Sequence, residues 1–256
     1  MTAGHAQGAY VVRDTPVHRL PADCKLVAMV AFVFIVVATP PQAYWAFACY
    51  AMLLTAVMAV AQIPPLLVLR RMLIEVPFVF FAVLLPFIAT GPRIEILGFS
   101  VSESGLIGAW NILAKGTIGV VSSILLAATT ELRDLLLALE RLRVPTILVQ
   151  IASFMLRYVN VILAEMHRMR VARESRGWRA RDLRDFGVIA QSAGALFIRS
   201  YERGERVYLA MLSRGYTGGM PRLGGEATVR MDQWLRAALL PVSALAVAVA
   251  AWMLSR

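Results

Sequence analysis

Long apolar stretches alternate with polar segments along this chain. No charged residue occurs from Leu26 to Leu69, and this length exceeds the roughly 20 apolar residues that one membrane-spanning helix requires. Pro40-Pro41 interrupts the stretch, and consecutive prolines favour a turn over a continuing helix. The pattern therefore predicts a helical hairpin, with a first span near residues 24–39 and a second near residues 42–62.

Three further apolar segments follow the hairpin. Arg70-Arg71 predicts a return to the polar side of the membrane before the third span. Residues 91–104 are mildly charged and predict a loop on the other side. The expected spans cover residues 72–90, 105–130 and 234–254, so we expect about five membrane-spanning helices in all.

About 100 residues separate the fourth span from the last, and their apolar residues recur at helical spacing. Apolar side chains three and four residues apart, with polar ones opposite, predict amphipathic helices. The first helix ends before Val144-Pro145, since proline disfavours helical geometry in the residue that precedes it. The predicted helices cover residues 131–143, 145–176 and 183–214, and a glycine-rich link over residues 215–225 leads to the last span.

The predicted protein is an all-α integral membrane protein with an insertion of three helices before its last span. Residues 1–130 hold an N-terminal tail and four spans, residues 131–232 hold the insertion, and residues 233–256 hold the last span. We place the insertion on the membrane surface, because the arginines along its helices would be costly in the bilayer core. One alternative is that the apolar residues 146–163 form a further span.

Composition agrees with a membrane protein and suggests its orientation. Hydrophobic residues make up 59% of the chain and the mean hydropathy is +0.68, whereas soluble domains are about 45–50% apolar. The net charge is +10, and 17 of the 26 basic residues are arginines between Arg133 and Arg230. Basic residues collect on the cytoplasmic side of membrane proteins. The insertion and the N-terminal tail, which lacks a cleavable signal pattern, are therefore predicted to be cytoplasmic.

Residues that bind metals or form disulfides are few and dispersed. Cys24 and Cys49 are the only cysteines, and the three histidines show no metal-ligand spacing. The chain lacks the Gly-x-x-x-x-Gly-Lys-Ser/Thr loop that cradles nucleotide phosphates. We expect no catalytic residue, metal or cofactor. Nucleic-acid binding is supported by arginine content alone, and a membrane-bound enzyme that holds phosphate groups through these arginines is the remaining alternative.

The two long helices of the insertion end alike, each in serine, arginine, glycine and an aromatic residue. The two motifs are Ser175-Arg176-Gly177-Trp178 and Ser213-Arg214-Gly215-Tyr216. Glycine ends helices because it adopts the left-handed conformation cheaply, and arginine in a last turn interacts favourably with the helix dipole. The repetition also favours a binding function, in which each arginine reaches acidic or carbonyl groups of a partner.

Lys115 lies about ten residues into the fourth predicted span. A charge at that depth is costly and is usually paired. The candidate partners are Glu75 and Glu103, so we expect a polar contact between helices or with a partner subunit rather than a transport function.

The paired tips resemble the two coupling motifs of the transmembrane (T) subunit of energy-coupling-factor (ECF) ABC transporters. Other segments are similar to the same family, most of all to its cobalt-type CbiQ members. They are Pro16–Leu20, Asp23–Leu26, Thr129-Thr130, Leu139–Pro145, Phe154–Tyr158, Leu196–Ser200 with Glu202-Arg203, and Ala210–Tyr216. The family often has alanine where Ser175 and Ser213 stand, a mild difference because both residues are small.

The resemblance implies a non-catalytic subunit of an importer in the bacterial inner membrane. Two ABC ATPase domains would bind the tips at Arg176 and Arg214, and a separate integral membrane subunit would capture the substrate. ATP-driven closure of the ATPases would bring the tips together and transmit the movement to the membrane helices. The substrate implied is a metal ion of the cobalt type, whereas relatives specific for nickel or a vitamin share most of these features.

Overall fold

The computed structural model describes residues 10–89, 92–96, 99–178, 186–218 and 230–254. Its helices fall into two compact units. One unit holds the helices before Arg143 together with the last helix, and the other holds the two long helices between them. The predicted tail up to residue 9, the first three residues of the predicted helix 183–214 and most of the predicted link 215–225 lie outside the described residues.

The first unit begins with the predicted helical hairpin. Helices α1, Ala22–Ala38, and α2, Tyr44–Val60, have 17 residues each. Between them the backbone becomes extended at Thr39, just before the two prolines. The Thr39 hydroxyl donates to the Ile35 carbonyl at 3.0 Å and lies 2.9 Å from the Tyr50 hydroxyl. The break between the first two helices is therefore confirmed.

The third helix begins earlier than predicted. Helix α3, Pro65–Arg71, continues through a 3-10 turn, Met72–Glu75, into α4, Val76–Ile88. The chain reverses before it, at Gln62 with φ of 53°. The prediction that Arg70-Arg71 marks the reversal is therefore wrong. Proline at the first helical position favours a helix start at Pro65, and arginine side chains can extend from a helix towards polar surroundings.

The predicted loop after α4 contains a short hairpin. Strand β1, Arg93–Ile96, pairs antiparallel with β2, Phe99–Ser102. Helix α5, Glu103–Thr129, follows at once. The Ser102 hydroxyl accepts from the Gly105 backbone N–H at 3.5 Å, as a serine at a helix N-terminus commonly does.

The core of the first unit lies between α1, α2, α5 and α9, Met231–Leu254. Helix α1 packs against α9 and α5, and α4 packs along α5. The most deeply buried side chains of this core include Phe32, Tyr50, Leu125, Ala128 and Ala244. Helices α4 and α5 approach closely at Gly105, where an added Cβ would lie 2.7 Å from Pro86 Cα.

Several helices are suited to a lipid environment. Among the described residues, four are long and apolar enough to cross a membrane, and Tyr44–Val60 is apolar but shorter. The four are Pro65–Ile88, Glu103–Thr129, Thr146–Ser175 and Met231–Leu254. Large side chains such as Phe78, Phe81 and Phe87 are more than half exposed. The protein is thus an α-helical multi-pass membrane protein. Length and composition also leave open the alternative that residues 146–163 form a span.

The second unit consists of two long helices that run antiparallel. Helix α7, Thr146–Ser175, and helix α8, Phe186–Leu212, follow the predicted positions closely. The beginning of α7 contacts the segment that follows α8 through Gln150, whose amide donates to the Gly218 carbonyl at 3.2 Å. The end of α7 contacts the beginning of α8 through Arg173 and Ser192, which are hydrogen bonded.

Candidate functional site

The first tip is the C-terminal end of α7. Gly177 has a φ of 77°, in the left-handed region that favours glycine. Its N–H donates to the Glu174 carbonyl at 3.0 Å, and the Trp178 N–H donates to the Arg173 carbonyl at 3.1 Å. This pair of bonds is the Schellman motif, which satisfies the last carbonyls of a helix.

The second tip, at the end of α8, has the same backbone geometry. Gly215 has a φ of 83°. Its N–H donates to the Leu212 carbonyl at 3.0 Å, and the Tyr216 N–H donates to the Met211 carbonyl at 3.0 Å. The two motifs, which repeat in the sequence, therefore also form the same two backbone hydrogen bonds.

The small residue of each motif bonds to its own helix. The Ser175 hydroxyl donates to the Ala172 carbonyl at 3.1 Å, and the Ser213 hydroxyl donates to the Ala210 carbonyl at 3.0 Å. Each serine thus turns its only polar group inward. The outer surface of each tip is left to the arginine that follows.

Arg176 and Arg214 are the exposed ends of the two tips. Neither guanidinium forms an ion pair with a carboxylate in the part of the chain that the structure describes. Several other arginines of these helices are engaged, whereas Arg157 and Arg203 also form no ion pair among the described residues. The engaged ones are Arg168 and Arg199 with Glu165, Arg170 with Glu174, Arg206 with Glu202, and Arg173 with Ser192. The tip arginines are therefore available to a partner.

The aromatic residue after each glycine anchors its tip within the unit. The Arg173 guanidinium lies 5.2 Å from the centre of the Trp178 ring, a cation–π contact. The Tyr216 hydroxyl donates to Gln150 Oε1 at 2.8 Å. Each aromatic residue thus contacts a side chain that also links α7 to α8 or to the segment that follows α8. Arg173 bonds to Ser192 of α8, and Gln150 of α7 bonds to Gly218.

The two tips lie at opposite ends of the helical pair. Midway between them, Arg199 of α8 donates to Glu165 of α7 at 2.7 Å. Because α8 has 27 residues and a helix rises 1.5 Å per residue, the tips are about 40 Å apart. This separation exceeds the roughly 30 Å diameter of a small domain.

Lys115 and Glu75 do not form the ion pair considered from sequence. Lys115 donates to the Val37 carbonyl at 2.7 Å, in the last turn of α1. Glu75, only 4% exposed, accepts from the Thr117 hydroxyl at 2.6 Å. The lysine instead satisfies a carbonyl at the negative end of the α1 dipole. Glu103, at the start of α5, is not its partner either.

A third set of polar contacts was missed by sequence reasoning. Lys25, 7% exposed, donates to the Thr129 carbonyl at 2.7 Å, and the Val11 N–H donates to the Ala128 carbonyl at 3.0 Å. Asp23, 4% exposed, lies 3.3 Å from the Arg141 guanidinium at the end of helix α6, Leu132–Arg141. The advance signals were the charged residues before the first apolar stretch and the resemblance of Asp23–Leu26, Thr129-Thr130 and Leu139–Pro145 to the transporter family, neither of which indicated that these segments contact one another.

The segment before α1 is held in place by His18. Its Nε2 donates to the Val11 carbonyl at 3.1 Å, and its Nδ1 lies 2.7 Å from the Thr15 hydroxyl. Since the carbonyl can only accept, the neutral ring accepts from Thr15 through Nδ1. Burial lowers the pKa of His18 below its ordinary value, and the nearby Lys25 ammonium lowers this pKa further.

Metal binding finds no geometric support in the part of the chain that the structure describes. No group of three or more His, Cys, Asp or Glu side chains lies close enough together there to hold a metal ion. Each tip presents an exposed arginine guanidinium, which is a donor group, at a helix end whose backbone N–H groups already donate to carbonyls of the same helix.

The fold and the site together define a class: a multi-pass α-helical membrane protein with an antiparallel helical pair tipped by two arginines. The profile of the CbiQ family, described as cobalt transport protein, matches residues 13–223. The chain therefore belongs to the CbiQ family.

Similar proteins come from archaea and bacteria. The chain is 31% identical over 128 residues to an uncharacterized protein of Methanocaldococcus jannaschii, covering 49% of this chain and 48% of that protein. It is 27% identical over 229 residues to a putative fused cobalt transport protein CbiMQ of Methanocorpusculum labreanum, covering 84% and 37%. The chain thus spans half or less of these two relatives. Against the energy-coupling factor transporter transmembrane protein EcfT of Bacillus subtilis, it is 29% identical over 236 residues, covering 84% and 86%.

Proposed function

We propose that this chain is the transmembrane coupling subunit of an ECF-type ABC importer, and that it is not itself an enzyme. The observation that carries the proposal is the duplicated tip. Arg176 and Arg214 extend from two Schellman-capped helix ends whose hydrogen bonds match one for one. A surface element that occurs twice in one chain is suited to a partner that occurs twice, such as a dimer of ATPase domains.

The separation of the tips supports two binding sites rather than one. A single small domain, about 30 Å across, does not reach both ends of a pair whose tips are about 40 Å apart. Each tip would enter a groove of one ATPase domain, where the planar guanidinium can form two hydrogen bonds with a carboxylate or with backbone carbonyls. The exposed cap of each helix would bring the arginine to the groove as a rigid unit.

The coupling movement would be a change in the angle between α7 and α8. ATP-driven closure of the two ATPase domains would bring the tips together, and the helices would transmit this movement as rigid elements with two arrangements. The Glu165–Arg199 contact, midway between the tips, would stay near the axis of such a movement. The tips and the N-terminal tail would then lie in the cytoplasm, which agrees with the concentration of arginines in this part of the chain.

The proposed cargo is a metal ion of the cobalt type, delivered by a separate substrate-binding membrane subunit. The description of the matched family and the name of the CbiMQ relative support cobalt. The relatives named EcfT carry no substrate in their names, so nickel or a vitamin is the alternative. A comparison of the uptake of labelled cobalt with that of labelled nickel, with the capture subunit present, decides between the two metals.

The experiment is co-purification with a candidate ATPase, followed by uptake in proteoliposomes. The variants are Arg176→Glu and Arg214→Glu, and the matched control is Arg206→Glu. Arg206 lies on α8 two turns before the second tip, and its 4.0 Å contact with Glu202 is an exposed pair of little energetic value. We expect both tip variants to weaken the complex or abolish ATP-driven uptake and the control to leave both intact. If both tip variants retain the complex and the uptake, the proposal is wrong.

A further inference from the structure

Helix α6 carries both apolar and charged side chains on the side that contacts α1. Its Ala138 is fully buried and Leu135, Leu136 and Leu139 are half-buried, whereas Leu132 and Leu137 are each more than a third exposed. The Asp23 carboxylate of α1, 4% exposed, contacts the Arg141 guanidinium at the opposite end of this helix from α5. This ion pair is therefore one of the contacts that position α6 on α1.

The first turn of α1 holds both sides of the corner between α5 and α6. Two residues after Asp23, the buried Lys25 donates to the Thr129 carbonyl, at the end of α5. Only Thr130 and Glu131 separate that end from α6. One turn of α1 thus fixes where α5 ends and where α6 ends.

A partly open pocket of about 320 Å³ lies beside these contacts. Lys25, Asp23 and Arg141 line it together with residues of α6 such as Asp134 and Leu137. The space next to the ion pair is therefore not filled by other side chains.

The connection from α6 to α7 is short. Only residues 142–145 separate the last residue of α6 from the first residue of α7. Arg143 has a φ of 63°, which is sparsely populated by residues other than glycine, and Pro145 fixes its own φ and restricts Val144 before it. Helix α6 is therefore the element of the first unit that is joined most directly along the chain to α7.

We infer that Asp23 and Arg141 are positioning residues that form a joint, through which displacement of the long helices reaches α1 and α5. This inference rests on the proposed function, since it assigns a path to the coupling movement. The pair binds neither ATPase nor substrate. Its role is to make α6 and α1 move together. Loss of the pair would therefore uncouple ATP hydrolysis from uptake without removing the contact with the ATPase or the contact with the capture subunit.

The test uses the full complex with its ATPase and capture subunit in proteoliposomes. The variants are Arg141→Gln, Arg141→Lys, Asp23→Asn and the double variant that combines Asp23→Asn with Arg141→Gln. The control is Asp14→Asn, which removes the exposed pair with Arg19 in the same segment. Because Arg141 is half exposed, its variants are expected to fold even where the buried Asp23→Asn does not.

We expect Arg141→Gln to assemble and to hydrolyse ATP within about twofold of the unaltered complex, while uptake per ATP falls about tenfold, a usual size for a coupling free energy between sites. Arg141→Lys should recover part of the uptake, because it restores the charge. The double variant should lose no more uptake per ATP than Arg141→Gln or Asp23→Asn alone, since the same contact is removed in each of these variants. The control should match the unaltered complex.

The inference is overturned if Arg141→Gln leaves uptake per ATP unchanged or if ATP hydrolysis and uptake fall together. It is also overturned if the losses of uptake per ATP in the two single variants add up in the double variant. Failure of the proposed function is a different result, in which the unaltered chain does not assemble with the ATPase. Amide hydrogen exchange of the isolated chain then tests the joint alone. Arg141→Gln should accelerate exchange in residues 132–141 about tenfold and leave most of α5 unchanged, since local opening is set by local contacts. Unchanged exchange in α6 also overturns the joint.

Discussion

Gly177 and Gly215 adopt the same left-handed backbone conformation, with φ of 77° and 83°, at the ends of the two antiparallel helices. An added Cβ would meet no atom within 4 Å at either position. Space therefore does not require glycine there, whereas the backbone conformation does, because a left-handed residue with a side chain costs roughly 1–2 kcal/mol. The caps are what direct Arg176 and Arg214 away from the helix ends.

Substitution of either glycine should loosen its tip. We expect Gly177→Ala and Gly215→Ala each to destabilise the protein by about 1 kcal/mol, because alanine is strained in the left-handed conformation. Thermal unfolding in detergent measures the change, and ATPase binding should weaken with it.

Gly194 provides the matched control for the glycine variants. It lies inside α8 with open space where a Cβ would be, so Gly194→Ala should stabilise the helix by about 0.5–1 kcal/mol. A stabilising effect of Gly177→Ala as well would contradict the cap assignment.

The Glu165 variant tests the contact between the two long helices. Glu165 accepts from Arg199 of α8 and also from Arg168 of its own helix. We expect Glu165→Gln to increase amide exchange in the middle of α8, since it weakens a link between the helices. Glu202→Gln, which removes a pair within α8, should change exchange far less. Equal effects of the two variants would mean that Glu165 does not hold the helices together.

The close approach of α4 and α5 predicts a steric effect at Gly105. An added Cβ would lie 2.7 Å from Pro86 Cα and 2.9 Å from the Leu85 carbonyl oxygen, both backbone atoms that move only with their helix. We expect Gly105→Ala to destabilise the protein by about 1–3 kcal/mol, as overpacked cores do. Gly119→Ala, on the same helix with no atom within 4 Å, should be tolerated in the same thermal unfolding assay.

The N-terminal segment should respond to acid through His18. Because burial lowers its pKa below the ordinary 6.5, the folded segment favours the neutral ring, which accepts from Thr15. The stabilisation is fully present above pH 6.5 and is lost as the pH falls through the lowered pKa. Because amide exchange is intrinsically slower at lower pH, the quantity to compare is the protection factor, and the protection of the Val11 amide should fall between pH 7.5 and 5. His18→Gln should remove most of this dependence, and a pH response that survives the substitution would exclude His18 as its source.

Much of the fold follows from local rules. Pro40-Pro41 and Pro145 mark helix boundaries because a proline ring disfavours a helix interior, although Pro86 and Pro241 lie inside α4 and α9. The same local logic locates both tips, since a glycine after a long periodic helix indicates its end. These features depend on neighbours in the sequence, so the sequence alone can predict them.

The errors and omissions concern contacts between distant residues. Arg70-Arg71 resembled a boundary because charge interrupts an apolar stretch, yet the prolines just before it determine where the helix begins. Lys115 bonds to a backbone carbonyl 78 positions away, and no side chain in the sequence marks such a partner. The Asp23–Arg141 pair joins residues 118 positions apart, so its geometry depends on the tertiary fold.

Site-specific cross-linking tests the central claim most directly. Cysteine is introduced by Ser175→Cys, by Ser213→Cys and, as a control, by Arg206→Cys, so that both tip arginines remain, and a short bifunctional reagent is added to each complex with the ATPase. We predict that positions 175 and 213 each form a cross-link to the ATPase, that the variant with both serine substitutions links two ATPase chains to one membrane chain, and that position 206 links to none. Absence of a cross-link from either tip, while the complex remains assembled, would contradict the assignment of two tips to two ATPase domains.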